Sequence, residues 1–496
     1  MKLRKAITFL MMPFYIGNGR FGQTSEALPH GATRWEPCRM KIENGAFYPH
    51  IQQFLQSSVT NSGDWPQTPR SSDLHIYSLL ASDDVRKHLI RWPMVMRLGS
   101  GEAATTLRIA FMQSDLSLFS PKLVVLPTAS VGLLILPLQP LDDITDKQLV
   151  RMNYLLHKIS RRPCPLRLCP TDPNYRLPQA NNRGRGSEEK LADALNLPHP
   201  ARGEQVTFTL PQVVEALMRG IDYRVFNPDM FHAFTYVQIS TADWNSAEHT
   251  KTEKGHHLNE RMYNFARIVL CINDKYRLSH MQVEKLVSRS FQNVYMGSSA
   301  SGGGIMTIAD DDSPDFMRNF HTDSLQPRYL WVYILALIQQ HTLLNMTRWL
   351  SSMPSDPRSD QATLKQMRHS LKHMSELNVS MRFSCISDYS QHNTFYRHCS
   401  NNLGTLTLCG EVDRKIATLT DMLEQLSDQM KETLQVWFTV ILALLTLFSA
   451  TNDGLDVIQK MMDHTWAWVV GVLFIFAMLC LFGWLAQRFR RFFSSK

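Results

Sequence analysis

The chain has no paired cysteines, no block of one charge and no assembled catalytic set, and each absence narrows what it can be. Its eight cysteines (Cys38, Cys164, Cys169, Cys271, Cys385, Cys399, Cys409 and Cys480) form no CxxC pair and no finger-like Cys/His spacing. A zinc finger or thioredoxin-type redox centre is thereby excluded. Thiols scattered so thinly through 496 residues suit the reduced interior of a cell. Lys and Arg number 52 against 44 Asp and Glu, a net charge of +8, yet no run of five like charges occurs. A dedicated nucleic-acid protein concentrates its charge more than this, so no direct nucleic-acid partner is expected.

Chemistry-bearing motifs are equally sparse. The Ser-Gly-Gly-Gly at 301–304 lacks the Gly-Lys-Ser/Thr that completes a P-loop. His369 and His373 are one helical turn apart but lack the Glu of a HExxH pattern, and read as a solvated helix face. His256 and His257 read as loop. Asp310, Asp311, Asp312 and Asp315 lack the Gly and closing Glu of an EF-hand loop and read as a solvated loop. No Ser-His-Asp, Cys-His or paired-carboxylate set emerges, so an enzyme is the least supported class.

What is present is apolar material, unevenly distributed. At 44% apolar the chain is not mainly disordered, and a mean hydropathy of −0.20 excludes a polytopic membrane protein. Near the start, Lys2, Arg4 and Lys5 precede an apolar run at 6–16. Pro13 interrupts that run and no small-x-small cleavage pattern follows, so it reads as a first β-strand closed by an Asn18-Gly19 turn.

The C-terminal end differs. Positions 434–451 and 466–487 are 18 and 22 residues without a charge, about 27 and 33 Å as helices against a hydrocarbon core of ~30 Å. Trp466, Trp468 and Trp484 flank the second run as interfacial belts do. Two membrane spans are expected. Arg488, Arg490, Arg491 and Lys496 follow the second, while the intervening 452–465 carries Asp453, Asp456 and Asp463 against Lys460. Both termini should then lie inside a bacterial inner membrane, with a short acidic loop outside.

Between the ends, 122–140 reads as strand-turn-strand around 127–130, and 145–160 as a helix. Residues 163–204 form a loop or insertion, rich in Pro, Asn and Gly over most of its length. A helix stops at Gly220. Positions 262–273 read as a central strand and 298–312 as a flexible loop. A helix at 328–352, apolar on most faces, belongs in a core or interface. A further helix starts near Glu411. Its Val412, Ile416, Leu419, Leu423, Leu426 and Met430 are spaced 4, 3, 4, 3, 4, the seam of a helix that packs along its length. It should run on into the first span as one rod of some 40 residues. Gln435, Thr439, Leu442, Thr446, Ser449 and Asp453 repeat the same spacing as a polar stripe. Such a stripe lines water or another helix, unless its hydroxyls bond back to their own helix. The expected division is 1–327 as a sensing domain, 328–433 as helical region and stalk, 434–487 as membrane domain and 488–496 as a basic tail.

The stalk helix, the two terminal spans, the short acidic loop and the basic tail resemble the CorA-type magnesium channels. That resemblance implies an α/β cytoplasmic domain, a long stalk helix and two C-terminal transmembrane helices, gathered as a homopentameric funnel in the lipid bilayer. The first span would line the pore through Thr439, Leu442, Thr446, Ser449, Asn452 and Asp453. The family's Gly-Met-Asn signature is absent: Ala450-Thr451-Asn452-Asp453-Gly454 stands in its place.

The 131–136 hairpin strand, the large body and the YILALIQQHTLL helix resemble the CorA-like membrane effectors associated with type III CRISPR systems. For that subgroup the implied ligand is a nucleotide messenger, a conjugate of S-adenosylmethionine and AMP, that opens the membrane part during antiviral defence. A phosphate- and adenine-bearing ligand needs guanidinium forks and a carboxylate. Arg161, Arg162, Asp222 and Arg224 are the candidates, although basic residues ending a helix also answer its dipole. A divalent cation is the other possible ligand, and a constitutive divalent-cation transporter gated by its own cation is the alternative function. A membrane-anchored scaffold without a pore is a third.

Overall fold

A computed structural model describes residues 3–17, 35–37, 45–56, 74–79, 94–98, 105–111, 121–157, 166–168, 208–227, 230–247, 249–251, 257–273, 275–352, 361–461 and 469. Its strands are β1 (Lys5–Ile16), β2 (Trp35–Pro37), β3 (His75–Leu79), β4 (Met94–Leu98), β5 (Thr105–Phe111), β6 (Lys122–Leu126), β7 (Val131–Pro140), β8 (Leu166–Leu168), β9 (Phe208–Thr209), β10 (Tyr223–Val225), β11 (His232–Ile239), β12 (His249–Lys251), β13 (His257–Asn259), β14 (Val287–Phe291), β15 (Val294–Ser298) and β16 (Gly302–Ile308).

Strand β1 organises the fold because its sequence is apolar on both faces, from Ala6 to Phe14. It lies antiparallel to β7 on one side, and to β11 and then β10 on the other. Pro13 sits between those two ladders, after the Met11–His232 pair and before Phe14–Val225. A residue without an N–H is tolerated there. The resulting sheet has 14 strands, with a main path β14-β15-β16-β11-β1-β7-β5-β4-β8-β9. The β11–β16 pair is parallel and the remaining described pairs are antiparallel, so the sheet is mixed. The β6–β7 hairpin forms as expected. A 3-10 turn at Pro127–Ala129 is closed by Ser130, whose φ of 51° lets its N–H reach Pro127 O at 2.9 Å.

Alternate residues along β11 face opposite layers. The Phe234 ring lies 4.8 Å from that of Tyr333, on the helix Leu330–Ser351. Thr235 points the other way and accepts from Asn153 Nδ2 at 2.7 Å, on the helix Asp146–His157. The sheet is thus sandwiched between helices, and Leu330–Ser351 is buried on most faces, as its composition requires. A π-helical stretch, His321–Tyr329, leads into it and contains Pro327.

Two local expectations are corrected. Positions 262–273 are not a strand: the helix Glu260–Leu270 occupies them, capped by the Asn259 side chain on Arg261 N and ended by Cys271 at φ 52°. Phe265, Ile268 and Val269 form its buried face, a 3.6 period hidden in a short apolar run. Nor is 298–312 a flexible loop. Ser299 N closes a tight turn by donating to Gly302 O at 2.8 Å, the Ser299 hydroxyl anchors that turn by donating to Val269 O at 2.8 Å, and 302–308 is the fully buried β16. Its glycines are there because the neighbours leave no room. A Cβ at Gly302 would meet Ala233 O at 2.4 Å, and one at Gly303 would meet the Tyr333 ring at 2.7 Å.

The chain divides into two units, Met1–Thr418 and Leu419–Lys496. The last described helix, Thr405–Met461, has 57 residues. Its 405–418 segment is clamped to the first unit, where Asp413 accepts from Asn378 Nδ2 at 2.8 Å and pairs with Arg382.

The membrane-domain expectation does not hold. Among the described residues no helix is long and apolar enough to cross a membrane. Described, uncharged side chains run unbroken only over the 13 positions 434–446, about 20 Å of helix against ~30 Å of hydrocarbon. Positions 452–461, expected in an outer loop, continue the same helix. The second run, 466–487, lies outside the described residues except for Val469. Among the described residues the fold is therefore a 14-stranded mixed sheet with packed helices and holds no membrane-spanning helix. The inner-membrane placement, inferred from those spans, falls with them.

Candidate ligand-binding site

The end of β1 gathers the polar groups a ligand needs. Ladder pairing sets Tyr15 opposite Arg224 and Ile16 opposite Tyr223, and Gly17 N donates to Asp222 O at 2.8 Å. Opposite residues in a ladder share a face, and so do those two apart. Tyr15, Arg224 and Phe226 therefore emerge together, with Tyr15 and Phe226 ring centroids 3.9 Å apart. The Asp222 carboxylate leans over Gly17, where a Cβ would lie 3.7 Å from Oδ2. Gly17 holds a φ of +56° that lets the chain turn there.

The helix Leu330–Ser351 covers the same face. Asn345 Nδ2 donates to Ala129 O at 2.9 Å and pins this helix to the β6–β7 turn. One turn further on, the Arg348 guanidinium lies over the Tyr15 ring, its carbon 4.5 Å from the centroid. Asp222, Arg224 and Arg348 are all exposed.

Beneath this surface lie three histidines. His157 ends its helix with Nδ1 2.5 Å from Phe231 O. His232 and His341 meet edge to face at 5.4 Å, and Phe226 meets His341 the same way at 4.7 Å. Burial pushes His341 down to about 4, and pushes His232 well below the usual imidazole value, helped by His341 and His157. The folded chain thus refuses protons that the unfolded chain accepts below pH 6.5. Stability present above that pH is lost as the pH falls toward 4. For His341 the difference between 6.5 and about 4 corresponds to about 3 kcal/mol. Melting curves across this range should be less steep in pH for His341→Phe than for the parent; parallel curves would contradict the assignment.

Of the residues singled out from the sequence, the fold brings Asp222 and Arg224 to this site. Arg161 and Arg162 lie outside the described residues. Thr439 and Thr446 are exposed on the long helix, and their hydroxyls donate to their own helix, to Gln435 O at 2.8 Å and Leu442 O at 2.9 Å. Leu442 and Ser449 are exposed too, and Asn452 and Asp453 fall within the same helix. The Asp310 and Asp311 carboxylates are used by the chain itself. Asp310 accepts from Thr241 N at 3.1 Å, which holds its carboxyl below the usual range, and Asp311 pairs with Arg4 at 2.9 Å. Among the described residues no three His, Cys, Asp or Glu are placed to hold a metal ion. Sequence reasoning missed Tyr15, Phe226 and Arg348. Tyr15 read as strand, Arg348 as part of a helix apolar on most faces, and Phe226 had no reading of its own; no local pattern joins Tyr15 to positions so far along the chain.

No family model matches this chain, and no curated protein or solved structure matches it either.

Proposed function

We propose that the chain is a receptor for a nucleotide messenger, the conjugate of S-adenosylmethionine and AMP, and acts as a messenger-gated effector in type III CRISPR antiviral defence. One observation carries the reading. Arg224, opposite Tyr15 in the ladder, and Asp222, just beyond it with its backbone oxygen accepting from Gly17 N, were both chosen on chemical grounds from the sequence and stand beside a second exposed arginine over the same ring. The carboxylate suits ribose hydroxyls or the positive sulfonium–amine end, and the guanidinium suits phosphate. Homo-oligomerisation, five copies by the resemblance, belongs to the same proposal. The half-buried Ile416, Leu419 and Leu426 mark the helix seam available for it.

Calorimetric titration of the full chain with the conjugate tests the reading. The parent should bind. Asp222→Ala and Arg224→Ala should each lose about 1.5–3 kcal/mol, roughly 10- to 150-fold in affinity, with unchanged melting temperature. Absence of binding to the parent, or parental affinity in both variants, would overturn it.

A further inference from the structure

We propose that Arg224 and Arg348 form a phosphate subsite with Tyr15 between them. The physiological identity of the phosphate rests on the reading above; the chemistry of the subsite does not.

Arg224 stands opposite Tyr15 in the ladder, so their Cβ atoms are about 5 Å apart on one face. Arg348 reaches the same ring from the helix above, 4.5 Å from its centroid. Phe226 packs against that ring at 3.9 Å and holds it in place. A guanidinium laid on an aromatic ring keeps its N–H edge outward, where its fork matches two phosphate oxygens. Its side-chain entropy is already spent before the ligand arrives.

Some arginines of the chain are charge-paired and, among the described residues, these two are not. Arg4, Arg108, Arg261, Arg318 and Arg382 each meet a carboxylate. Arg224 and Arg348 meet none among the described residues, and both are exposed. Two unneutralised guanidinia on one face repel each other until an anion joins them. The nearby carboxylate, Asp222, leans over Gly17, where it can select the neutral or positive part of a ligand. A cation in the last helical turn also answers the helix dipole, and that role differs in what a substitution does.

Pyrophosphate is the probe, titrated into the full chain at low ionic strength. The parent should bind it saturably. Arg348→Gln and Arg224→Gln should each weaken binding about ten-fold or more. Arg348→Lys, which keeps the charge at the helix end but lacks the fork, should melt as the parent does and still bind more weakly. A purely structural Arg348 would give the opposite, a lowered melting temperature with parental affinity. Absence of saturable binding to the parent, or parental affinity in Arg348→Gln, overturns the subsite. If pyrophosphate binds through both arginines but the conjugate does not bind, the subsite stands and the messenger reading fails. If Arg348→Gln binds the conjugate as the parent does, the subsite alone fails.

Discussion

Gly304→Ala is expected to destabilise the protein by about 3 kcal/mol or more, the upper range for overpacking a close-packed interior. The added Cβ would sit 2.4 Å from Thr235 O and 3.3 Å from the Phe265 ring. Neither neighbour can withdraw. Thr235 lies in β11, held by β1 on its far side through the Thr8–Thr235 pair, and Phe265 is wedged in the buried face of Glu260–Leu270. The clash is with backbone rather than with the tip of a flexible side chain, so strand separation is the available relief. Urea denaturation of the two proteins measures the effect. Gly410→Ala is the control: nothing lies within 4 Å of its Cβ position, and an alanine there should stabilise the helix by up to about 1 kcal/mol. A loss below about 1 kcal/mol for Gly304→Ala would mean that β16 does not lie against β11 as described.

Asp146→Ala should cost a similar amount, about 3–5 kcal/mol, through electrostatics rather than space. The Asp146 carboxylate accepts from Arg261 Nη1 at 2.6 Å and from Asn264 Nδ2 at 3.0 Å. The side chains of Asp146 and Arg261 are 9% and 11% exposed, so water cannot replace the pair. Removing the acid leaves a guanidinium in the layer between Asp146–His157 and Glu260–Leu270, with Nε already unpartnered among the described residues. Asp146→Asn keeps a hydrogen-bond acceptor and should fall between parent and alanine variant. Chemical denaturation reads both, and an alanine variant within 1 kcal/mol of the parent would show that the pair contributes little.

Much of the sheet was legible because its strands announce themselves. The run 6–16 is apolar on both faces, and 122–140 has a Pro-containing turn between two β-rich runs; both formed as read. The helix ending at His157 was legible from its spacing. Failures came where local composition and tertiary context disagree. Three consecutive glycines signal a loop, but in β16 they answer the close approach of Ala233 O, Thr235 O and the Tyr333 ring, none of which the sequence displays. The β-branched and aromatic run at 262–273 signals a strand, but its caps at Asn259 and Cys271 make it a helix. At the C-terminal end, two uncharged runs, their flanking Trp residues and the charge bias implied two spans. The helix continues through 452–461, although Asn452, Asp453 and Gly454 are poor helix formers.

The candidate site was half legible. Asp222 and Arg224 were chosen for their chemistry and for a glycine stop before them. Arg348 was not, because its value comes from standing over Tyr15, 333 positions earlier in the chain. Long-range juxtaposition of that kind is a product of sheet register and helix packing, and no single-sequence spacing encodes it.

Amide hydrogen exchange of the full chain, with and without the conjugate of S-adenosylmethionine and AMP, tests the central claim most directly. Binding at the end of β1 predicts slowed exchange in peptides covering 13–17 and 222–226 and in the last turn of Leu330–Ser351. Peptides from the far end of the same sheet, around Lys5 and Asp310–Asp312, should exchange unchanged. Protection confined to other segments, or identical exchange with and without the conjugate at saturating concentration, would contradict the account.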